Sequence, residues 1–194
     1  MVSYMEDNKL EILKMKAKEF LNDYGCHGFE HVERVYSTCL LLGKKNGADL
    51  TVLLPAAILH DVGRRYDKHA EESGRIASGI LKELGYEEEK QRSIINAILA
   101  HSFTGNSIPD TLESKILSDA DKLDAMGAIG IYRASMYSYE HRLPIEDFVN
   151  HFYAKLLKLK ELMYTSEGKK LAELRLKFML QFLDEIEKEM QLEA

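Results

Sequence analysis

The chain has no tryptophan, only three prolines and only two cysteines among its 194 residues. So little proline leaves no Pro-rich linker and no low-complexity tract. The two thiols, Cys26 and Cys39, form no CxxC pair, which argues against a disulfide framework or a cysteine-built zinc site. No secretory apolar stretch precedes them, so both are expected to be reduced and structural in a cytoplasmic protein. No apolar run approaches the ~20 residues that a membrane-spanning helix requires, which removes the membrane as a partner. Positive charge is not in excess either. The formal charge of −6 argues against nonspecific nucleic-acid binding, which needs a basic surface field. Convincing strands and internal repeats are also missing.

What is present is the composition of a soluble globular protein, 45% apolar and 30% charged, in a chain long enough to bury a substantial core. The periodicity reads as all-α. Residues 6–22 place Leu10, Leu13, Ala17, Phe20 and Leu21 near a 3.6-residue repeat. A second helix opens around His27 to Val35 and runs to Asn46-Gly47. A third, capped by Asp49 or Thr51 with Pro55 in its first turns, carries His60-Asp61. Further helices follow from His69 to a stop at Gly85, from Glu87 to Ala100, and from Leu112 to Met126. Residues 102–110 form the loop between the last two. Small residues Gly127, Ala128 and Gly130 predict a tight helix contact before a helix over Ile131 to Tyr139. Pro144 reads as the first-turn proline of a helix reaching Met163, in which Phe148, Phe152, Leu156 and Leu159 recur at three to four residues. Residues 165–168 break it, and the last helix covers about 169–190. The aromatic and Met positions of this tail are expected in the core or on a face that pairs two copies as a homodimer.

The stretch Ala56-Ala57-Ile58-Leu59-His60-Asp61-Val62-Gly63-Arg64-Arg65 carries the chemistry. An imidazole and a carboxylate end an otherwise apolar helix, where burying charge is costly unless a partner or a metal satisfies it. Gly63 is placed to adopt a left-handed conformation that stops the helix. His27 and His31, four apart, share a face if the helix already includes residue 27. With His31, His60 and Asp61 goes a carboxylate from the run Ser118 to Gly127. Imidazole and carboxylate without thiolate suit Mn²⁺, Mg²⁺, Fe²⁺ or a similar divalent ion. Asp119 and Asp121 stand about 200° apart around a helix, so both cannot face one ion. Asp121 and Asp124 share a face.

These residues resemble the HD-domain superfamily of metal-dependent phosphohydrolases, whose signature is a His, a later His-Asp pair and a distant Asp. Here those are His31, His60-Asp61 and Asp121. The chain is further similar to the small single-domain group typified by the YedJ and YpgQ proteins, with His69 after the cationic loop, His101 after an isoleucine-rich helix, and a long helical tail. Gly28 departs from that group, which often has Asp there. The resemblance implies one HD-type helical domain over 1–194, with a core of about 25–130 and a helical extension of about 140–194. It implies a divalent metal ion on His31, His60, Asp61 and Asp121, with Asp61 in the chemistry. His69 and His101 are implied as catalytic groups or as ligands of a second ion. Arg64, Arg65, Lys122, His27 and Asp124 are candidates to hold substrate, Arg through its fork and Lys as a point charge. The function implied is hydrolysis of a phosphoester or phosphoanhydride in a small anionic metabolite, with a nucleotide favoured. Two other readings stand beside it, a di-iron oxygenase and a non-catalytic nucleotide sensor.

Overall fold

The computed structural model describes residues 2–101 and 107–192, with side chains described from residue 8 onward. Regular structure among the described residues is entirely helical. They gather into two compact units, 1–120 and 121–194.

The first unit is built on α3 (Leu50–Leu59), in which every residue from Val52 to Leu59 is buried. A helix apolar all round has no solvent face to present, so it must be surrounded. It is packed by α1 (Val2–Lys18), α2 (Phe29–Asn46) and α5 (Glu88–Ala100). Fully burying each large side chain of α3 contributes about 1.5–3 kcal/mol. Asp49 caps the helix by accepting from the Thr51 amide at 2.8 Å. Pro55 falls in its second turn. The inward stripe of α2 is Phe29, Val32, Val35, Cys39 and Leu42, and Gly47 ends the helix in a left-handed conformation at φ +72°. α4 (His69–Glu83) packs on α5 and ends ahead of Gly85, whose φ is +65°. Cys39 is buried and Cys26 half-buried, and neither is in a disulfide. The expected loop at 102–110 lies partly outside the described residues.

The second unit begins inside α6 (Leu112–Asp124) and continues through α7 (Gly127–Glu140), α8 (Ile145–Ala154), a 3₁₀ helix (Leu156–Leu162) and α9 (Ser166–Met190). Phe148, Phe152 and Phe182 form its aromatic cluster, with ring centroids 5.1 to 6.2 Å apart. Leu156, Leu159, Met163, Met179 and Leu183 complete the core. Asp124 and Arg133 make a buried ion pair at 3.1 Å. Arg175 donates to the Leu123 carbonyl and lies against Gly127, whose φ is +71°.

Several boundaries differ from the periodicity reading. The first helix ends at Lys18, short of residue 22. The helix expected from Pro144 to Met163 is two elements, because Lys155 leaves helical geometry at φ −134°, ψ −58°. Beyond it Leu156, Leu159 and Leu162 recur at strict threes, which puts them on one face of a three-residue helix. α9 starts at Ser166, because Thr165 caps it by accepting from the Gly168 amide, so the expected break at 165–168 is the cap and first turn of the last helix. The tight helix contact falls on Gly127, which lies against Arg175 of α9, while Gly130 makes room for the turn before α7. A Cβ on Gly130 would sit 2.4 Å from the Ala125 carbonyl oxygen, and Ala128 is exposed. Gly63 is not left-handed, since the glycines with positive φ are Gly25, Gly47, Gly85 and Gly127.

Candidate metal centre

Three helices of the first unit end or begin at the same place. α2 carries His31 in its first turn, after Gly28 at the cap position. α3 ends at Leu59 and passes directly into His60 and Asp61. α5 ends at His101. All four side chains are 0–2% exposed.

Asp61 is the hub. Its Oδ2 lies 3.7 Å from His27 Nδ1, 3.8 Å from His31 Nε2 and 3.9 Å from His60 Nε2, and its Oδ1 lies 3.8 Å from His101 Nε2. His31 Nε2 and His60 Nε2 are 3.2 Å apart. Five imidazoles form a continuous row, His27, His31, His60, His101 and His69, with successive ring centroids 5.8, 5.2, 5.0 and 5.6 Å apart.

The hydrogen bonds assign the rings of His60 and His101. His60 Nδ1 is 2.8 Å from the Ala57 carbonyl and His101 Nδ1 is 2.5 Å from the Ile98 carbonyl. A carbonyl oxygen only accepts, so each Nδ1 bears a proton, and when the ring is neutral it is Nε2 that turns a lone pair toward Asp61. Lone pairs facing a buried carboxylate repel it unless a cation stands between them. Backbone carbonyls that pin Nδ1 are also the usual means of orienting metal-bound histidines. Adjacent donors around a six-coordinate ion with bonds near 2.1 Å stand about 3.0 Å apart, close to the 3.2 to 3.9 Å seen here. The donor atoms of His60, Asp61 and His101, and those of His27, His31 and Asp61, each lie within 4.8 Å of one another. The residues present fit a divalent ion.

Burial alone raises the Asp61 carboxyl, yet positive charge on His60 when that ring is protonated, the N–H of His27 aimed at the carboxylate, and the charges of His31 and Arg64 outweigh it and hold the group well below the usual carboxylate range. Asp61 is therefore an anion at neutral pH.

Gly63 closes the turn after Asp61. Its amide donates to Ser73 Oγ of α4 at 2.9 Å, and a Cβ there would stand 2.4 Å from the Ser73 nitrogen and 2.7 Å from the His69 carbonyl. Glycine is needed for close approach of two backbones, which corrects the reading of Gly63 as a left-handed stop. Ser118 Oγ, on the first-unit part of α6, donates to the His101 carbonyl at 3.0 Å. Neither serine stood out in the sequence, where a lone Ser on a helix carries no signal.

The remaining sequence candidates divide. His27 precedes α2 instead of lying on it, yet joins the row; its Nε2 accepts from Arg64 at 2.8 Å. His69, half-buried, opens α4 beside His101. Arg65 is exposed. In the second unit, Lys122 is 5% exposed with its Nζ 5.2 Å from the Tyr164 ring centroid. Asp124 is engaged by Arg133. Asp121 stands on α6 as the first residue of that unit.

Gly28 has a structural reason. A Cβ there would meet Tyr24 C at 2.6 Å and Asp23 O at 2.9 Å, so the segment before α2 is folded tightly onto its first residue. Gly28→Asp is expected to displace that segment and to destabilise by about 2 kcal/mol, read as a lower urea midpoint.

Residues 28–126 match the HD domain family, and the chain belongs to it. Its class is that of the HD-superfamily hydrolases. Among individual proteins, it is 35% identical to YpgQ of Bacillus subtilis over 175 residues, 84% of each chain. The crystal structure of Bacillus subtilis YpgQ in complex with ADP superposes with a TM-score of 0.77 and 29% identity, covering 93% of this chain and 97% of that one. An HD-superfamily hydrolase from Bacillus thuringiensis gives 0.78 and 32%, covering 96% and 98%. Ribonuclease Y of Desulforamulus reducens is 29% identical over 81% of this chain, which spans only 27% of that protein. No helix among the described residues is long and apolar enough to cross a membrane.

Proposed function

We propose that the chain is a metal-dependent phosphohydrolase that cleaves a phosphoester or phosphoanhydride of a nucleotide. The observation that carries this reading is the Asp61 carboxylate, faced by the bare Nε2 atoms of His60 and His101. His31, His60 and Asp61 hold the ion, and the family motif makes Asp121 a further ligand. A divalent ion there supplies a water of lowered pKa and polarises a phosphoryl oxygen. The chain's own side chains bind and orient. Arg65 and Lys68, exposed on the loop after Asp61, meet the outer phosphates, and Lys122 is the remaining cationic candidate. His69, half-buried beside His101, protonates the leaving oxygen; His101 does not, because its ring proton is held by the Ile98 carbonyl. Asp124, engaged by Arg133, acts as a brace for its helix. The bound ADP of the YpgQ crystal supports a nucleotide as substrate.

The test is a panel of nucleoside mono-, di- and triphosphates and a short RNA, each with Mn²⁺ or Mg²⁺. Release of phosphate, pyrophosphate or nucleoside from a nucleotide supports the reading. Nucleotide bound tightly without turnover by the metal-loaded chain makes it a sensor instead, and cleavage of RNA alone moves the substrate to a polymer.

His69 beside His101 favours one second reading, a second ion and di-iron oxidation. Metal analysis giving two irons per chain, with iron absorbance, supports it; one ion per chain removes it.

The pH dependence follows from the same groups. The folded pKa of Asp61 is depressed, so its stabilising contribution is complete above the unfolded value of about 3.9 and is lost as pH falls through the folded value. Between pH 7.5 and 5.5 the carboxylate does not titrate. Imidazoles, near pKa 6.5 when unperturbed, take up the protons that compete with metal. Mn²⁺ affinity measured by calorimetry is therefore expected to weaken steadily over that interval.

A further inference from the structure

We propose that Arg64 and His27 form a positioning pair that steadies the Asp61 carboxylate, with His27 serving as a proton-bearing donor and not as a metal ligand. This rests on the reading of Asp61 as a ligand, and it divides the imidazoles around that carboxylate into two kinds.

The division comes from the partners on the far side of each ring. His60 and His101 give their Nδ1 protons to the Ala57 and Ile98 carbonyls, so their Nε2 atoms are bare. His27 is the reverse case. Its Nε2 lies 2.8 Å from Arg64 Nη2, and a guanidinium has protons to give and no lone pair to accept with. Nε2 of His27 is therefore the acceptor, and in the neutral ring the proton sits on Nδ1. That atom faces Asp61 Oδ2 at 3.7 Å. The distance is longer than an ordinary hydrogen bond, so the contact as it stands is an N–H dipole aimed at a carboxylate. A movement of about half an ångström closes it. A protonated Nδ1 cannot coordinate a cation, although its distances to His31 and Asp61 are those of a ligand cluster. The ion therefore belongs among the Nε2 atoms of His31, His60 and His101, while His27, braced by Arg64, faces the Oδ2 of the same carboxylate without coordinating.

The pair crosses two segments. His27 ends the segment folded onto Gly28, and Arg64 lies in the turn that Asp61 begins, its amide donating to the Asp61 carbonyl at 2.9 Å. Arg64 thus leaves the set of groups expected to grip phosphate and becomes part of the mounting of the centre.

The experiment is Mn²⁺ titration of the purified chain by calorimetry, with pulsed EPR to count the imidazole nitrogens coupled to bound Mn²⁺. His27→Ala and Arg64→Ala are each expected to weaken Mn²⁺ binding by about 10- to 100-fold. The double variant is expected to be no worse than either alone, since the two act in series. His27→Asn, whose amide nitrogen replaces Nδ1–H, is expected to restore affinity to within a few-fold. The imidazole count stays unchanged in His27→Ala. Loss of one coupled imidazole in that variant, failure of His27→Asn to rescue, or unaltered affinity in both alanine variants would overturn the pair. Absence of Mn²⁺ binding by the unaltered chain would instead remove the metal centre itself, and the pair's role with it.

Discussion

Asp61→Asn is expected to eliminate metal binding and hydrolysis together while leaving the metal-free fold in place. Asn has the same shape, so the pocket among His27, His31, His60 and His101 stays filled, and only the charge is removed. That charge is an anion set among four imidazoles, two of which hold their ring proton on Nδ1. Losing the cation's hold on a phosphoryl oxygen and its water is worth several kcal/mol; about 4 kcal/mol corresponds to a fall in kcat/KM on the order of 10³-fold. Unfolding of the metal-free variant is expected several degrees below the parent, because a carboxyl held below its ordinary range stabilises the fold when ionised and Asn forfeits that contribution. The rise in Tm that Mn²⁺ gives the parent is expected to vanish. An Asn variant that hydrolyses nucleotide at the parent's rate would mean that Asp61 holds no ion.

The second large effect concerns a residue that touches neither metal nor substrate. Gly63→Ala places a methyl group 2.4 Å from the Ser73 nitrogen, 2.7 Å from the His69 carbonyl and 2.8 Å from the Glu72 carbonyl carbon. All three are backbone atoms of α4, so no side chain can swing aside. Either α4 moves off the turn, stretching the hydrogen bond from Gly63 to Ser73 Oγ, or the turn moves and carries Asp61 with it. Steric cost and a weakened buried hydrogen bond together come to about 4 kcal/mol. In a chain of this size that lowers Tm by about 8–16 °C. Thermal unfolding followed by circular dichroism checks it. A shift under 2 °C would show that the turn and α4 are loosely joined.

Gly63 also marks where the sequence stops being legible. A glycine after an apolar helix reads as a helix stop because that use is local and frequent. The actual reason is a backbone ten residues further on, which no local pattern records. The His27–Arg64 contact, 37 residues apart, was hidden for the same cause, and Arg64 read as a phosphate grip because its neighbours are cationic. What was legible depended on short range. The wholly apolar run of α3 demanded burial, so a His-Asp pair at its end had to sit at a buried edge. His31 fell on the inward stripe of α2 with Val32 and Val35. The isoleucines of α5 placed His101 at its terminus. Element ends were read less well where a side chain has two uses, as Thr165 does in capping α9.

Both helices that deliver the bare nitrogens stop at the histidines themselves. α3 ends at His60 and α5 at His101, so the carbonyl-rich ends of two macrodipoles, each worth about half a negative charge, converge where Asp61 already carries a full one. A phosphate arriving first meets a field of the wrong sign, and a cation is drawn in. Under the proposed function, loading is expected to have an order, ion before nucleotide, and a chelator added during turnover is expected to take away the nucleotide's foothold along with the ion.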